Sequence, residues 1–158
     1  MTTAYDFDFI AIDGKPMPLK QFNGEALLVV NVASRCGFTP QYAGLQKLYT
    51  EYHGRGFEVI GVPCNQFLWQ EPAKELEIAA FCAVQYSVTF PMTEKTSVKG
   101  SHAHPFYKWM REQLGKAAHP GWNFHKLLVG KQGQPLAAFK SGVDPQDAKL
   151  KAAIEAAL

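Results

Sequence analysis

The amino-acid sequence predicts an α/β fold in which a mixed central sheet is flanked by helices, and three observations carry that expectation. Ala26 to Ala33 is a valine-rich apolar run, the pattern of a strand buried on both faces. It leads through Cys36 into a stretch with a helical apolar period, and a second apolar run, FEVIGVP, follows. Strand, helix and strand then form one βαβ unit with a right-handed crossover. Near the C-terminus, NFHKLLVGKQGQPLAAFKSG reads as a hairpin turning about Lys131 to Gly133. Length agrees with a single domain: 158 residues, 47% of them apolar, are enough for one well-packed core and too few for two.

The elements follow in order. YDFDFIAID alternates apolar and polar residues, Asp13-Gly14 is a turn signal, and KPMPLK is a short, proline-limited partner strand, so the chain opens with a β-hairpin. Thr39 and Pro40 read as N-cap and first residue of a helix whose stripe is Leu45, Leu48, Tyr49 and Tyr52, and Gly54 ends it. After the polar loop CNQFLWQEP, the spacing predicts a second helix over 73–86. VTFPM is extended and ends at a proline, where the backbone turns sharply or holds a cis bond. A third helix covers 103–114, and Asp144 with Pro145 caps a closing helix. The order β-α-β, α, β-β-α is that of a thioredoxin-like sheet with an additional N-terminal β-hairpin.

Composition excludes several functions. Net charge is +2 with acids and bases interspersed, so no basic block is present to grip nucleic acid. The N-terminus lacks a basic segment followed by an apolar core, and no run is long enough to span a bilayer, so a soluble, cytoplasmic protein is expected. Three cysteines, Cys36, Cys64 and Cys82, are too few and too widely spaced for a disulfide framework or paired zinc hooks, so any disulfide is transient. His102 and His104 lack the further ligands a metal needs and read as solvated loop residues. Neither a metal nor a cofactor is expected.

Cys36 closes the buried central strand, at the carboxyl edge of the sheet where α/β proteins bind ligands. It also precedes a helix start, whose free N–H groups and dipole favour a thiolate over a thiol. Gly37 keeps the approach open, and Arg35 adds a positive charge nearby. A small buried core thiol is the competing reading. A local dithiol would need a second cysteine at position 39, where Thr39 stands. A thiol acting alone in its first step suits attack on a peroxide oxygen to give a sulfenic acid.

NVASRCGFTPQY, GVPCNQFLWQEP and WNFHKLLVG resemble, in the same order, the three signature blocks of the glutathione peroxidase family in its cysteine-containing, non-selenium form. The resemblance covers essentially the whole chain. It implies a thioredoxin-like fold, reduction of hydroperoxides, and a catalytic set of Cys36, Gln70, Trp122 and Asn123, with Cys36 as the peroxidatic residue. The chemistry of these types fits: Gln70, Asn123 and the Trp122 indole are neutral N–H donors that can surround a thiolate without adding a competing anion. Gln66 lies four residues before Gln70 and reaches a similar place, but the family position selects Gln70, leaving Asn65 and Gln66 to hold the loop.

Cys64 reads as a packed thiol. On a helical wheel Leu76, Ala80 and Ala83 share one face, while Cys82 falls with Glu75 and Gln85 toward the polar side, which predicts an accessible thiol. In the thioredoxin-dependent branch of the family, a cysteine at this position resolves the sulfenic acid, so the resemblance implies that Cys82 forms a disulfide with Cys36 and that thioredoxin restores both thiols. Direct use of glutathione, a redox relay to a client protein and a non-catalytic binding module are the alternatives. Val62 stands where the family has an aromatic, and AAFKSG lacks the arginine and proline usual at that hairpin exit. A short segment before Trp122 resembles members without the tetramer loop, so a monomer is expected.

Overall fold

The computed structural model describes all 158 residues. A short 3-10 turn at Ala4–Asp6, where the sequence predicts the start of a strand, precedes two short strands, β1 (Asp8–Ile10) and β2 (Pro16–Pro18), paired antiparallel with Phe9 opposite Met17. Gly14 makes the turn between them at a φ of 88°, where a Cβ would be strained. The main sheet contains β3 (Ala26–Val32), β4 (Phe57–Pro63), β5 (Lys126–Val129) and β6 (Pro135–Phe139) in the order β4-β3-β5-β6. Strands β3 and β4 are parallel, and β5 and β6 run antiparallel to their neighbours. Four helices cover the sheet: α1 (Gln41–Tyr52), α2 (Glu75–Tyr86), α3 (Pro105–Leu114) and α4 (Ala148–Ala157).

Every residue of β3 and β4 is buried, which is why both read as mainly apolar runs rather than alternating ones. The period of two nevertheless sorts their side chains. Leu27 and Val29 face a cluster with Phe9, Phe106 and Trp109, whereas Leu28, Val30 and Val32 face a cluster with Tyr42, Leu45 and Ile154. β3 is thereby covered on both faces and held on both edges, the most fixed element in the molecule.

Several expectations are corrected. Thr39 does not cap α1. The helix starts at Gln41 without a side-chain cap, and residues 36–40 form a turn of their own. The closing helix is capped one turn late, by Asp147, whose carboxylate accepts from the Lys149 amide at 2.8 Å, while Asp144 closes the preceding turn on the Gln146 amide. All peptide bonds are trans, and beyond Pro91 the chain bridges to the sheet through Met92 opposite Gly61. His104 is no solvated loop residue: its Nδ1 accepts from the Phe106 amide at 3.1 Å to cap α3, and its ring stacks on Phe9 at 3.9 Å.

One buried charge has no sequence signal beyond its position in a strand. Lys126 is fully buried, and its ammonium donates to Gln41 Oε1 at 2.7 Å and to the carbonyls of Ser141 and Val143. Burial pushes its pKa down to about 7, with the charge of Asp144 pulling the other way. The three acceptors tie the start of α1 to the exit of the hairpin, so one side chain joins the two segments that flank the end of β3.

Candidate active site

The site is built where β3 ends. Cys36 lies beyond it, 8% exposed, in a turn locked by Thr39. The Thr39 hydroxyl accepts from the Cys36 amide at 2.9 Å and donates to the Ala33 carbonyl at 2.9 Å. The residue chosen as a helix cap therefore pins the cysteine backbone to the strand. The Phe38 amide donates to Cys36 Sγ at 3.3 Å, so a backbone N–H is aimed at the sulfur, as at a helix start, although the helix begins five residues later. Such a donor stabilises negative charge on sulfur.

Gln70 and Asn123 meet. Asn123 Nδ2 donates to Gln70 Oε1 at 2.9 Å across 53 residues of chain, and the Gln70 carbonyl accepts from the Arg35 amide at 2.9 Å. The amide pair is thus fastened to the turn that carries Cys36. Gln66 points elsewhere: its side chain bonds Ser97, Val98 and Lys99, and Asn65 accepts from the Glu71 amide at 2.9 Å, so both hold the loop. Trp122 is half-buried, packs against both apolar clusters, and stands 5.8 Å from the Phe67 ring.

The backbone around these residues is strained. Leu68, Trp69 and Phe124 all adopt positive φ, 54°, 56° and 66°, which bulky residues rarely accept. At Phe124 the cost is offset by Asn31, which donates from Nδ2 to the Trp122 carbonyl at 3.0 Å and accepts the Phe124 amide at its own carbonyl. Asn31 is fully buried. It was legible only as an odd polar residue inside LLVVNVAS, and its contribution is to hold Trp122 and Asn123 in place.

Cys64 is fully buried, donates to Gln66 Oε1 at 3.4 Å, and burial pushes its pKa up. The expected exposure of Cys82 is wrong. It is 1% exposed and faces inward from α2 with Ile78, while Leu76, Ala80 and Ala83 lie outward. Burial pushes its thiol up to about 11, partly countered by the Tyr42 hydroxyl beside it. Cys36 and Cys82 are both free thiols and belong to the same apolar cluster.

Glu71 went unnoticed in the sequence. It is fully buried, its Oε2 accepts from the Ser34 hydroxyl at 3.0 Å, and burial raises its pKa to about 7 against the opposing effects of Ser34, Lys95 and Arg35. A carboxylate adjoining Gln70 in QEP is the only sign the sequence offers.

A thiol at the carboxyl edge of a β-α-β sheet, aimed at by a backbone amide and carried on a turn to which a paired glutamine and asparagine are fastened, defines a thioredoxin-fold protein of thiol chemistry. The family model described as glutathione peroxidase matches residues 4–111. The hydroperoxy fatty acid reductase gpx1 of Synechocystis sp. is 46% identical over 92% of this chain and 90% of its own. The glutathione peroxidase-like peroxiredoxin GPX5 of Chlamydomonas reinhardtii is 45% identical over 89% and 88%. Among solved structures, T. cruzi GPX1 superposes with a TM-score of 0.76 at 35% identity, covering 95% of this chain and 94% of that one. A thioredoxin family protein of Chlorobium tepidum shares the fold alone, with a TM-score of 0.71 at 15% identity over 99% and 95%. The chain belongs to the glutathione peroxidase family. It is a peroxidase, an oxidoreductase that reduces hydroperoxides with thiol electrons. No helix is long and apolar enough to cross a membrane.

Proposed function

We propose that Cys36 is the peroxidatic residue of a two-cysteine cycle in which Cys82 resolves and thioredoxin is the reductant. The Cys36 thiolate attacks one peroxide oxygen, the O–O bond breaks, and the departing alkoxide or hydroxide takes a proton, leaving Cys36 as a sulfenic acid. Gln70, Trp122 and Asn123 supply N–H groups that stabilise the thiolate and the charge developing on the leaving oxygen. The observation that carries the reading is the pairing of Asn123 with Gln70 on the same hydrogen-bonded turn as Cys36, whose sulfur already accepts the Phe38 amide.

Resolution requires motion, because Cys82 is enclosed in the interior of α2 and a disulfide needs its Cα atoms within about 4.4–6.8 Å with converging Cβ vectors. Local opening of α2 delivers it. The peroxiredoxin names of the algal and yeast relatives favour a protein dithiol over glutathione, and the exposed Phe38, Leu68 and Trp69, on chain segments that flank Cys36 and Gln70, offer such a partner an apolar surface. One domain, acting as a cytoplasmic monomer, suffices for the cycle.

The test oxidises the protein with one equivalent of peroxide and maps the disulfides. The expected product is a Cys36–Cys82 bridge with faster amide exchange over residues 70–90, while Cys36→Ser loses activity by more than about a thousandfold and keeps its fold. A bridge to Cys64, or unchanged exchange in that segment, sinks the resolving assignment or the opening, respectively. Steady-state turnover with thioredoxin against glutathione decides the reductant.

A further inference from the structure

Lys126 is the only buried lysine of the chain. Its ammonium has three N–H groups and meets three acceptors: Gln41 Oε1 at 2.7 Å, the Ser141 carbonyl at 3.1 Å and the Val143 carbonyl. Gln41 is held a second time, because its Nε2 donates to the same Ser141 carbonyl at 2.8 Å. Two contacts lead from this cluster to Phe38. The Gln41 amide donates to the Phe38 carbonyl at 2.8 Å, and the tip of the Phe38 ring comes within 3.9 Å of the place a Cβ on Gly142 would take. Phe38 is also the residue whose amide is aimed at Cys36 Sγ, at 3.3 Å. Its amide, carbonyl and ring are therefore attached to the sulfur, to Gln41 and to the 141–143 segment in turn.

We propose that Lys126 is a positioning residue for peroxide attack: by joining Gln41 to the 141–143 segment, its ammonium holds Phe38 so that the Phe38 amide stays on the Cys36 sulfur. The inference rests on Cys36 being the peroxidatic residue. The amide donates to the thiolate that attacks the peroxide oxygen, and a donor that turns out of line loses most of its interaction. Lys126 touches neither the sulfur nor the peroxide; it acts through Gln41 and Phe38.

The cluster requires the charged form of the lysine. An ammonium gives one N–H to each of the three oxygens, whereas a neutral amine has two N–H groups and a lone pair, so one buried oxygen is left without a donor. Loss of the proton opens one arm of the clamp. Burial brings Lys126 down to about 7, against the pull of Asp144. Asp144, just beyond Val143, and His125, beside Lys126 in sequence, are the titratable groups coupled to it; Gln41 is neutral, and the cross-strand neighbours Val30 and Phe139 are apolar. The clamp is thus complete below pH 7 and loosens as pH rises through it.

The experiment measures the second-order rate of hydrogen peroxide attack on the fully reduced protein from pH 5.5 to 9, in the parent, in Lys126→Met and in Gln41→Leu. Lys126→Met is expected to react about tenfold more slowly at pH 6, the effect of one weakened hydrogen bond to a charged group, with the deficit shrinking above about pH 8, where the lysine of the parent is itself neutral. Gln41→Leu keeps the lysine and removes its link to α1, and a deficit of the same shape there assigns the effect to position rather than to charge. A deficit equal at every pH overturns the proposal, since a residue needed only for packing behaves that way, and so does a Gln41→Leu variant that matches the parent. Should Lys126→Met not fold, Gln41→Leu decides alone. Cys36→Ser separates the two readings: if it still reduces peroxide, Cys36 is not peroxidatic; if it is inactive while Lys126→Met and Gln41→Leu match the parent throughout, only the role of Lys126 falls.

Discussion

Helices α1 and α2 are both twelve residues long, one following Cys36 and the other carrying Cys82, and they are held to the sheet very differently. α1 buries Tyr42, Leu45, Leu48 and Tyr52, whereas α2 buries only Ile78 and Cys82 and leaves Leu76 and Val84 83% and 78% exposed. At about 1.5–3 kcal/mol per buried large apolar side chain, α1 gains several-fold more from burial than α2. α2 also walls an apolar cavity of about 310 Å³ between Ala79, Cys82, Phe90 and Met92. This cleft opens to solvent, so that side of the helix meets water in place of the packed side chains that would fix it. The difference teaches where motion belongs: Cys36 follows the doubly covered β3 and leads into the well-buried α1, whereas Cys82 lies on the helix that has the least burial to lose on opening.

Four substitutions probe this contrast. The largest effect is expected from Leu48→Ala in α1, which removes a fully buried side chain and lowers global stability by about 2–5 kcal/mol, read from denaturant unfolding. Ile78→Ala deletes comparable volume from α2, but its cost should appear locally, as faster amide exchange over residues 75–86 and faster disulfide formation, with exchange in β3 unchanged. Uniformly faster exchange in both variants would show that the two helices open together and that the contrast is empty. A middling effect is expected from Ala79→Leu, which grows a side chain into the cavity, stabilises closed α2 by about 0.5–2 kcal/mol and slows formation of the Cys36–Cys82 disulfide several-fold. Faster disulfide formation in that variant would mean that the cavity is needed for the closed state. The smallest change is Leu76→Gln: Leu76 is 83% exposed, so stability should move by less than about 0.5 kcal/mol. A larger loss would place Leu76 against a surface that covers it.

Much of the architecture was legible because its causes are local. The valine run of β3, the Asp13-Gly14 and Lys131–Gly133 turns and the stripe of α1 each follow from side-chain period or turn chemistry over a few residues, and the strand and helix boundaries fall within about three residues of expectation. Cys36 was legible for the same reason, since a thiol after a doubly buried strand can only emerge at the sheet edge. Gln70, Trp122 and Asn123 were chosen by resemblance. Chain order alone offered no means of knowing that Asn123 would bond Gln70 rather than Gln66.

The rest was decided in three dimensions. α2 is apolar nearly all round, with Ile78, Ala79, Ala80, Phe81, Cys82, Ala83 and Val84 in succession, so no single stripe in its sequence says which face turns inward. Its neighbours Tyr42 and Phe90 settled that, and Cys82 went in while Leu76 went out. Thr39 had two uses, as a cap for α1 or as a lock on Cys36, and the approach of Ala33 selected the lock. Asn31, Glu71 and Lys126 look misplaced in a linear reading. Each finds partners contributed by segments between 15 and 91 residues away, and a buried polar group is tolerated only when such partners arrive. Periodicity is a property of neighbouring residues and can be read along the chain, whereas hydrogen-bond satisfaction is a property of the folded packing and exists only once the chain has closed on itself.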